Sequence, residues 1–577
     1  MNANKFGVLI VALGWLSLLA AITLFRPLMP VDETRYLTVA WEMMVRGDWV
    51  LPTLNFHPYS HKPPLIFWLI HATWEIFGVS VTGARMVILS AVAALLALSA
   101  RLARDIYGRR DIGLPTILLM CAMPAYLVYG SVIMFDSLLA VFVVGAMIIL
   151  WRAGKMDDRR HWIALGFIMG FGILAKGPVA LVYILPAALF APLWIQDRII
   201  DWRRWYLGIL SASMLAIATG LAWSMPAALQ GGLIYAERIF VSQSTGRMVD
   251  AFDHVEPFWF YIPVMTGFLL PFLVWPTVWS AVRQKIRSSE RGDQATRFLL
   301  CWIIPSLLFF SAISGKSIHY VIPFLPGIII FLSGILSAGP LAKPQSVCGP
   351  ILVLALPSAL ALIFKVHGIQ VDGFILDTNG IYLCIAHLCL SAGILAWVRR
   401  GDGRVLQAMS ISAFLAVIVI LAQLGQGFFK PYDLTPVAQE IQQYKERPIA
   451  TAPKYDGEYG FTARMEKSVL PIGREHLPWW FHTYPDGVVI GRYENTALPD
   501  PAYYTLLFQQ PFRKTETIVI FEKKPGAVIP GSPRNEKPSG KWWSTPEYAN
   551  EKKIYRSGAM YYKDGKYIGH LFKDHSD

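Results

Sequence analysis

The sequence is poor in charge for its length. Only 16% of its 577 residues are Asp, Glu, Lys or Arg, whereas 55% are hydrophobic, and the mean hydropathy is +0.44. A soluble chain of this length carries more charge and shorter apolar runs. The sequence also lacks a P-loop, a dinucleotide-binding fingerprint and an internal repeat. The composition therefore excludes an ordinary soluble protein, and no motif supports a nucleotide-binding enzyme.

Cysteine is scarce, and its placement excludes two further classes. No cysteine falls in the polar C-terminal region, which excludes a disulfide scaffold there. No spacing among the cysteines resembles a metal site, so we interpret them as small packed residues. The five cysteines all lie in apolar segments: Cys121, Cys301, Cys348, Cys384 and Cys389.

Basic residues exceed acidic ones, giving a formal net charge of +13. A nucleic-acid partner would need a basic face on a soluble domain. The Lys and Arg residues instead collect in short loops between apolar runs, as they do in cytoplasmic loops of membrane proteins. The charge therefore predicts membrane lipids, not nucleic acid, as the surroundings of the chain.

Apolar runs of membrane-spanning length are abundant. We identify about thirteen runs close to the length of about 20 residues that a bilayer requires. They predict a mainly α, polytopic membrane protein. The first run is long for a signal peptide, so we expect an uncleaved span. A shorter run at 65–79 predicts an interfacial helix. The predicted spans are 6–25, 81–100, 112–132, 137–153, 161–177, 178–195, 206–224, 259–281, 298–314, 319–338, 348–365, 379–398 and 405–424.

The loops sort by charge. Basic loops follow the even-numbered spans, and this predicts that they face the cytoplasm. The opposite loops, predicted to face the outside, contain DETR (32–35), MFD (134–136), AKGP (175–178), residues 223–257 and SGKSIHY (314–320). The basic loops are 101–110, 152–160, 197–204, 283–291 and 399–404.

The character of the chain changes after residue 424. We predict a transmembrane domain with loops on the outer side over 1–424 and a small soluble α/β domain on the outer face over 425–577. An odd number of spans places this second domain outside. Residues 433–446 predict a helix that Thr435 caps, with Pro436 in its first turn. Strands are predicted at 448–452, 486–491, 504–508 and 516–523.

Three acids at the outer ends of spans are candidate catalytic residues: Asp32, Glu33 and Asp136. Ionisable residues at membrane depth are costly and indicate function by default. A helix cap or a salt bridge to Arg35 is the structural alternative for all three acids.

Several cations and a phenol share the outer side with these acids. Such a set suits an anionic group, above all a phosphate. Lys supplies a compact positive charge, and Arg supplies two parallel N–H donors that match phosphate oxygens. Snorkelling to lipid headgroups is the alternative for each cation alone. The set comprises Arg35, Lys62, Lys176, Arg238, Arg247, Lys316 and Tyr320.

Two histidines, His61 and His254, adjoin these motifs. With a carboxylate they could hold a zinc ion, although no tight spacing supports this. Ordinary hydrogen-bonded histidines are the alternative.

Five blocks, in order, resemble the lipid-linked sugar transferases of the GT-C type, in the superfamily of the protein O-mannosyltransferases. Among these they are most similar to the aminoarabinose transferases that modify lipid A. The DETRY block followed by KPPL is quite specific, whereas AKGP alone is weak. The blocks are DETRYLTVAWEMMVRGDWVLP, HKPPL, AKGP, HVEPFWFYIP and SGKSIHYVIPFLP.

The resemblance implies an inverting glycosyltransferase that takes a sugar, 4-amino-4-deoxy-L-arabinose, from undecaprenyl phosphate and transfers it to lipid A. This lowers the negative charge of lipopolysaccharide and gives resistance to polymyxin and other cationic peptides. Asp32 and Asp136 match the two acids of the family. Lys62, Arg247 and Tyr320 match positions that bind the carrier phosphate.

One departure concerns a metal. The family has an acid before the Lys-Pro-Pro block, and this acid can share a metal with a histidine before the Pro-Phe-Trp block. Here these positions are His61 and His254, which puts the metal and the sugar in question.

Two alternatives stay open on the sequence. One is the same reaction with another polyprenyl phosphate sugar or another acceptor, such as a core oligosaccharide, another lipid or a protein. The other is a transporter of lipid-linked sugars, which should show inverted repeats and acids near the middle of the membrane.

Overall fold

The chain divides into two units, which are described separately. The first comprises residues 1–26, 62–225 and 241–427, and the second comprises 27–61, 226–240 and 428–577. The computed structural model describes residues 5–196, 199–240, 256–287, 293–338, 344–367, 377–399, 405–426, 429–453, 455–513, 515–530, 559–563 and 566–571.

Long α-helices dominate the described residues before 427. Short 3-10 helices at Arg110–Ile112, Ile318–Val321 and Pro344–Val347 lie between them. In chain order the α-helices are α1 Lys5–Phe25, α2 Asp32–Arg46, α3 Leu65–Phe77, α4 Val81–Tyr107, α5 Gly113–Cys121, α6 Pro124–Gly130, α7 Phe135–Lys155, α8 Arg160–Lys176, α9 Val179–Leu189, α10 Ala191–Trp194, α11 Trp202–Glu237, α12 Tyr261–Leu273, α13 Pro276–Arg287, α14 Gln294–Ala312, α15 Leu325–Ala338, α16 Cys348–Val366, α17 Thr378–Val398 and α18 Val405–Gln426.

Seven of the described helices are long and apolar enough to cross a membrane by length and composition. The number rises to nine if each of two bent helix pairs is one span. In these pairs α5 and α6 meet at 71°, and α12 and α13 meet at 99°. The protein is therefore mainly helical and crosses the membrane several times.

The ends of α7 differ in charge. At its C-terminal end, both Nε and Nη2 of Arg152 donate to Oδ2 of Asp105 in α4, at 3.0 and 2.8 Å. These residues belong to the basic loops predicted to face the cytoplasm. Asp136 lies near the N-terminal end, about 24 Å from Arg152 along the helix axis at a rise of about 1.5 Å per residue.

The second unit begins with α2 and a two-stranded hairpin, β1 Thr53–Leu54 and β2 His57–Pro58. Its two turn residues, Asn55 and Phe56, both have positive φ, 56° and 61°. This is the type I′ arrangement that matches strand twist. The buried carboxylate of Glu42 accepts both turn N–H groups at 2.7 Å, so one side chain of α2 holds the turn.

The C-terminal part of this unit contains a five-stranded sheet in the order β4-β3-β5-β7-β6. The two contacts of β3 are parallel, while β7 pairs antiparallel with β5 and β6. A separate two-stranded sheet joins β8 and β9. The strands are β3 Ile449–Ala452, β4 Leu470–Pro471, β5 Val488–Glu494, β6 Tyr504–Phe512, β7 Glu516–Lys523, β8 Ala559–Lys563 and β9 Lys566–Leu571.

Alternate strand residues pack on opposite faces of the five-stranded sheet, as the two-residue period requires. Val488, Ile490 and Ile520 pack with α19 (Thr435–Ile441). Val489 and Phe521 pack on the other side with α20 (Leu477–Thr483). Each face of the sheet is thus covered by a short helix.

The predicted cap of α19 is wrong in detail. The helix begins at Thr435, so its N-cap residue is Leu434, and no side-chain capping hydrogen bond comes from that position. Oδ1 of Asp433 instead accepts the N–H of Thr435 at 3.0 Å. The spacing explains this contact, because an aspartate side chain readily accepts the backbone N–H two residues further along the chain. The helix also ends at Ile441, followed by a 3-10 turn.

Candidate functional site

A buried ion pair joins α7 and α8. Nζ of Lys176, the last residue of α8, contacts Oδ1 of Asp136, the second residue of α7. The two side chains are only 7% and 2% exposed. An acid in a first helical turn and a base in a last turn each interact favourably with their helix dipole. The pair therefore forms where the two helix ends meet.

Two glycines let Lys176 reach this position. Gly172 lies one turn earlier, and a Cβ there would be 3.2 Å from Cβ of Ala180 in α9, so the helices approach closely. Gly177 ends α8 with φ +91°, a conformation that side chains disfavour. The AKGP block is thus a helix end, a turn and the start of α9 at Val179.

His319 and Tyr320 come to the same pair from the 3-10 helix Ile318–Val321. Nε2 of His319 lies 3.7 Å from Oδ2 of Asp136. Nζ of Lys176 lies over the Tyr320 ring, 4.7 Å from its centroid. The carboxylate therefore has a basic group at each oxygen, and one of these groups, the Lys176 ammonium, lies over an aromatic ring.

Tyrosines from two helices hold this 3-10 segment. The hydroxyl of Tyr183 in α9 donates to the carbonyl of Tyr320 at 2.8 Å. The hydroxyl of Tyr261 in α12 donates to the carbonyl of Ser317 at 3.2 Å. The positions of His319 and Tyr320 are thus fixed from both ends.

Lys62 approaches the cluster from the segment before α3. Its Nζ lies 5.3 Å from the centroid of the Phe135 ring, and Phe135 precedes Asp136. A cation over an aromatic face is stabilised without being neutralised. We name Lys62, Asp136, Lys176, His319 and Tyr320 the Asp136 cluster.

The Asp136 cluster has an excess of positive charge. Two lysines face one carboxylate, and His319 adds a further charge when protonated. Lys176 contacts Asp136 directly, and Lys62 lies close enough for its charge to act on the same carboxylate. The arrangement can bind an anion at Lys62 and Tyr320 while Asp136 orients the remaining basic groups.

Lys316, one of the cations predicted around an outer cavity, has a structural role. Its side chain is buried, and its Nζ donates to the carbonyls of Glu256, at 2.7 Å, and Ile313. These contacts join the start of the HVEPFWFYIP block to the SGKSIHY block. The charge of Lys316 is thus used to satisfy backbone carbonyls.

The first predicted acids lie in the second unit, on α2. Asp32 is exposed, and its Oδ1 accepts the Tyr36 hydroxyl at 3.1 Å. Burial and the Asp32 charge both raise the pKa of Tyr36, so it remains a donor. Glu33 is fully buried, and its Oε2 accepts the N–H of Met29 at 2.9 Å. The two neighbours therefore differ: Asp32 is accessible, whereas Glu33 bonds to the backbone.

Arg35 also has a partner within the second unit. Its Nε donates to the carbonyl of Asp456 at 3.3 Å, and its Nη2 lies 4.0 Å from the Asp456 carboxylate. Among the described residues, Arg35 therefore pairs with Asp456 in the C-terminal part of the unit, and not with Asp32 or Glu33 as the structural alternative had it.

Two predicted site residues, Arg247 and His254, lie outside the described residues. His61 is exposed, and its ring lies 5.1 Å from that of Tyr59. Within the described ranges no group of three His, Cys, Asp or Glu residues could hold a metal ion. The described residues therefore do not form a zinc site.

His319 is the site residue that sequence reasoning missed. It lies inside the SGKSIHY block beside Tyr320, so the block should have identified a third outer histidine. The pairing of Asp136 with Lys176 was also not predicted, because residues 40 positions apart give no local signal.

The chain has the fold of ArnT. Crystal structures of ArnT from Cupriavidus metallidurans match the chain, with TM-score 0.70 for the form bound to undecaprenyl phosphate and 0.68 for the apo form. The identities are 19% and 20%, and the matches cover 91% and 88% of this chain and 98% of each ArnT chain. At this identity the likeness establishes the fold.

Sequence comparisons identify the same group of proteins. Residues 61–223 match the dolichyl-phosphate-mannose-protein mannosyltransferase family. An undecaprenyl phosphate-α-4-amino-4-deoxy-L-arabinose arabinosyl transferase of Photorhabdus laumondii is 28% identical over 58% of this chain and 60% of its own length. The enzyme of the same name from Pseudomonas paraeruginosa is 29% identical over 69% of this chain and 66% of its own length. The match thus spans less than two thirds of the length of these relatives. The resemblance to aminoarabinose transferases is confirmed.

Proposed function

We propose that the protein is an inverting glycosyltransferase of the inner membrane that transfers 4-amino-4-deoxy-L-arabinose from undecaprenyl phosphate to lipid A. The added amine lowers the negative charge of lipopolysaccharide and so gives resistance to polymyxin and other cationic peptides. The Asp136 cluster is the observation that carries this proposal. It gathers Lys62, Lys176, His319 and Tyr320 around one buried carboxylate at one end of the membrane helices.

The leaving group needs positive charge as the glycosidic bond breaks. The bond between the anomeric carbon and the phosphate oxygen cleaves, its electrons go to that oxygen, and the phosphate gains negative charge. Preorganised cations stabilise this charge best where water is excluded. Lys62, Tyr320 and Arg247 take this role, and Lys176 lines the same cavity while holding Asp136.

The acceptor oxygen attacks from the face opposite the phosphate, which inverts the anomeric carbon. Asp32 is the candidate that orients the acceptor or the sugar amine, because it is exposed while Glu33 is buried. A lipid A phosphate is already ionised near neutral pH, so Asp32 need not remove a proton from it. Asp136 supports the site by keeping Lys176 in place.

The proposed topology has thirteen spans, with the site and the C-terminal α/β domain in the periplasm. The proposed spans at 178–195 and 319–338 include the shorter apolar helices α9 and α15 together with the residues beside them. The separation of the Asp136 cluster from the Arg152–Asp105 pair along α7 supports an outer site opposite basic cytoplasmic loops. The domain boundary near residue 424 and a zinc ion at His61 and His254 stay predictions.

A reconstituted transfer assay tests the function. The purified full-length protein in nanodiscs is incubated with undecaprenyl phosphate carrying different sugars and with lipid A, core oligosaccharide or another lipid. Mass spectrometry should show loss of the aminoarabinose donor and addition of one sugar to lipid A. Transfer of a different sugar, or to a different acceptor, would redirect the substrate assignment. Movement of the donor across the bilayer without bond cleavage would support a transporter instead.

A further inference from the structure

The Asp136 carboxylate lies between two different kinds of basic group. Lys176 holds Oδ1, and Nε2 of His319 lies 3.7 Å from Oδ2. The His319 side chain is 24% exposed, compared with 2% for Asp136. One partner is thus a buried, permanent cation, and the other is a partly exposed group that can gain or lose its charge.

The histidine is held in this position by its surroundings. Its ring meets that of Tyr320 edge-on, with centroids 5.0 Å apart and planes at 87°. Tyr183 and Tyr261 fix the backbone on either side of His319, through the carbonyls of Tyr320 and Ser317. The imidazole therefore needs little reorganisation to act on Asp136, which is what a positioning group requires.

We propose that His319 is a positioning residue for Asp136 in the transfer reaction, an inference that rests on the proposed function. As an imidazolium it attracts Oδ2, so that a charge at each oxygen fixes the plane of the carboxylate. Lys176 then stays on Oδ1, at the edge of the anion site. When His319 is neutral, the carboxylate is anchored at one oxygen only, and the cluster loses its alignment.

The titratable groups around the pair come from several elements. Lysines and tyrosines do not change charge near neutral pH, whereas an ordinary imidazole does. A transition between about pH 5 and 8 that depends on residue 319 is therefore the signature of His319. The groups facing the pair are Lys62 before α3, Tyr129 in α6, Lys176 in α8, Tyr183 in α9, Tyr261 in α12 and Tyr320 in the same segment.

Steady-state kinetics of His319→Gln test the catalytic part of this proposal. We expect kcat to fall at least about tenfold at pH 6, with the donor KM within about threefold of the wild-type value. The wild-type kcat should decline as pH rises through the imidazole range, and the variant should lack this decline. His161→Asn is the matched control, because His161 lies at the opposite end of α8 from Lys176, and its kinetics should not change.

An unfolding cycle tests the pairing without turnover. Thermal unfolding at pH 6 is measured for the wild type, His319→Gln, Asp136→Asn and the double variant. The loss of stability caused by His319→Gln should nearly vanish when residue 136 is Asn. If His319→Gln cost the same stability with Asp136 present and with Asn at that position, the two side chains would not interact, and the proposal would be overturned. An unchanged kcat, or an effect confined to KM, would overturn the positioning role. If the pair is coupled but the wild type transfers no sugar, the proposed function fails and the catalytic role of His319 with it.

Discussion

Lys176 and Asp136 form an ion pair that is almost completely buried between the ends of α7 and α8. At the other end of α7, Arg152 and Asp105 form a pair whose side chains are 36% and 16% exposed. Burial makes these pairs unequal, because an isolated charge is far more costly inside the protein than at its surface. The first pair thus couples the stability of the helix bundle to the arrangement of its candidate site.

Asp136→Asn should destabilise the protein by about 3 kcal/mol, because it leaves the buried charge of Lys176 without a partner. Adding Lys176→Met removes that charge and should recover part of the loss. Thermal unfolding in detergent measures both effects.

Asp105→Asn is the control for this comparison. It breaks a partly exposed pair and should cost about 1 kcal/mol or less. If the double variant at 136 and 176 were less stable than Asp136→Asn alone, the buried pair would not have the role given to it here.

Asp32→Asn and Glu33→Gln should have different effects, although the residues are neighbours. Asp32 is exposed, so its variant should abolish sugar transfer while the protein stays folded in the membrane. Glu33 is buried and accepts the Met29 N–H, so the main effect of Glu33→Gln should be a lower unfolding temperature. Transfer assays and melting curves on both variants check this, and full activity of Asp32→Asn would remove Asp32 from the mechanism.

Lys62→Met should weaken binding of undecaprenyl phosphate about tenfold, the value of one charged hydrogen bond. Lys316→Met provides the contrast, because Lys316 bonds to the backbone carbonyls of Glu256 and Ile313. It should cost about 1 to 3 kcal/mol of stability and leave the affinity for the carrier unchanged. Ligand titrations separate the two variants, and an equal loss of affinity in both would contradict these roles.

Glu42 should make stability fall as pH rises. Burial raises the pKa of Glu42 from 4.5 to about 7, against the two turn N–H groups that favour its charged form. The folded state thus holds this proton more tightly than the unfolded chain, so the stabilisation is complete below about pH 4.5 and is lost by about pH 7. The change is about 3 kcal/mol.

Melting curves across this pH range measure the effect of Glu42. Glu42→Gln cannot ionise and should give a flatter profile of stability against pH, while losing one of the two acceptor oxygens that hold the N–H groups of Asn55 and Phe56. A wild-type profile parallel to that of the variant would show that Glu42 does not titrate in this range.

Much of the fold follows from local sequence patterns. The apolar runs at 81–100, 137–153 and 379–398 lie within the helices α4, α7 and α17. The predicted strand at 516–523, with four consecutive apolar residues at its centre, is strand β7 in full. These elements could be predicted because the spacing of apolar residues and the length of an apolar run are properties of a continuous stretch of sequence.

The arrangement of the candidate site depended on information that the sequence does not carry locally. The motifs correctly drew attention to Asp136 and Lys176, but not to their direct contact. Lys316 was grouped with the cations of the cavity, since only the fold reveals the carbonyls it bonds. His319 was overlooked because its importance comes from the carboxylate it faces and not from its neighbours in the chain.

Lipid A from a strain that lacks this protein, complemented with either the wild type or Asp136→Asn, offers the most direct measurement. Mass spectra should show lipid A carrying one added aminoarabinose with the wild type and unmodified lipid A with the variant, at equal protein levels in the membrane. Identical spectra from the two complemented strains would contradict the claim that the Asp136 cluster is the site of sugar transfer.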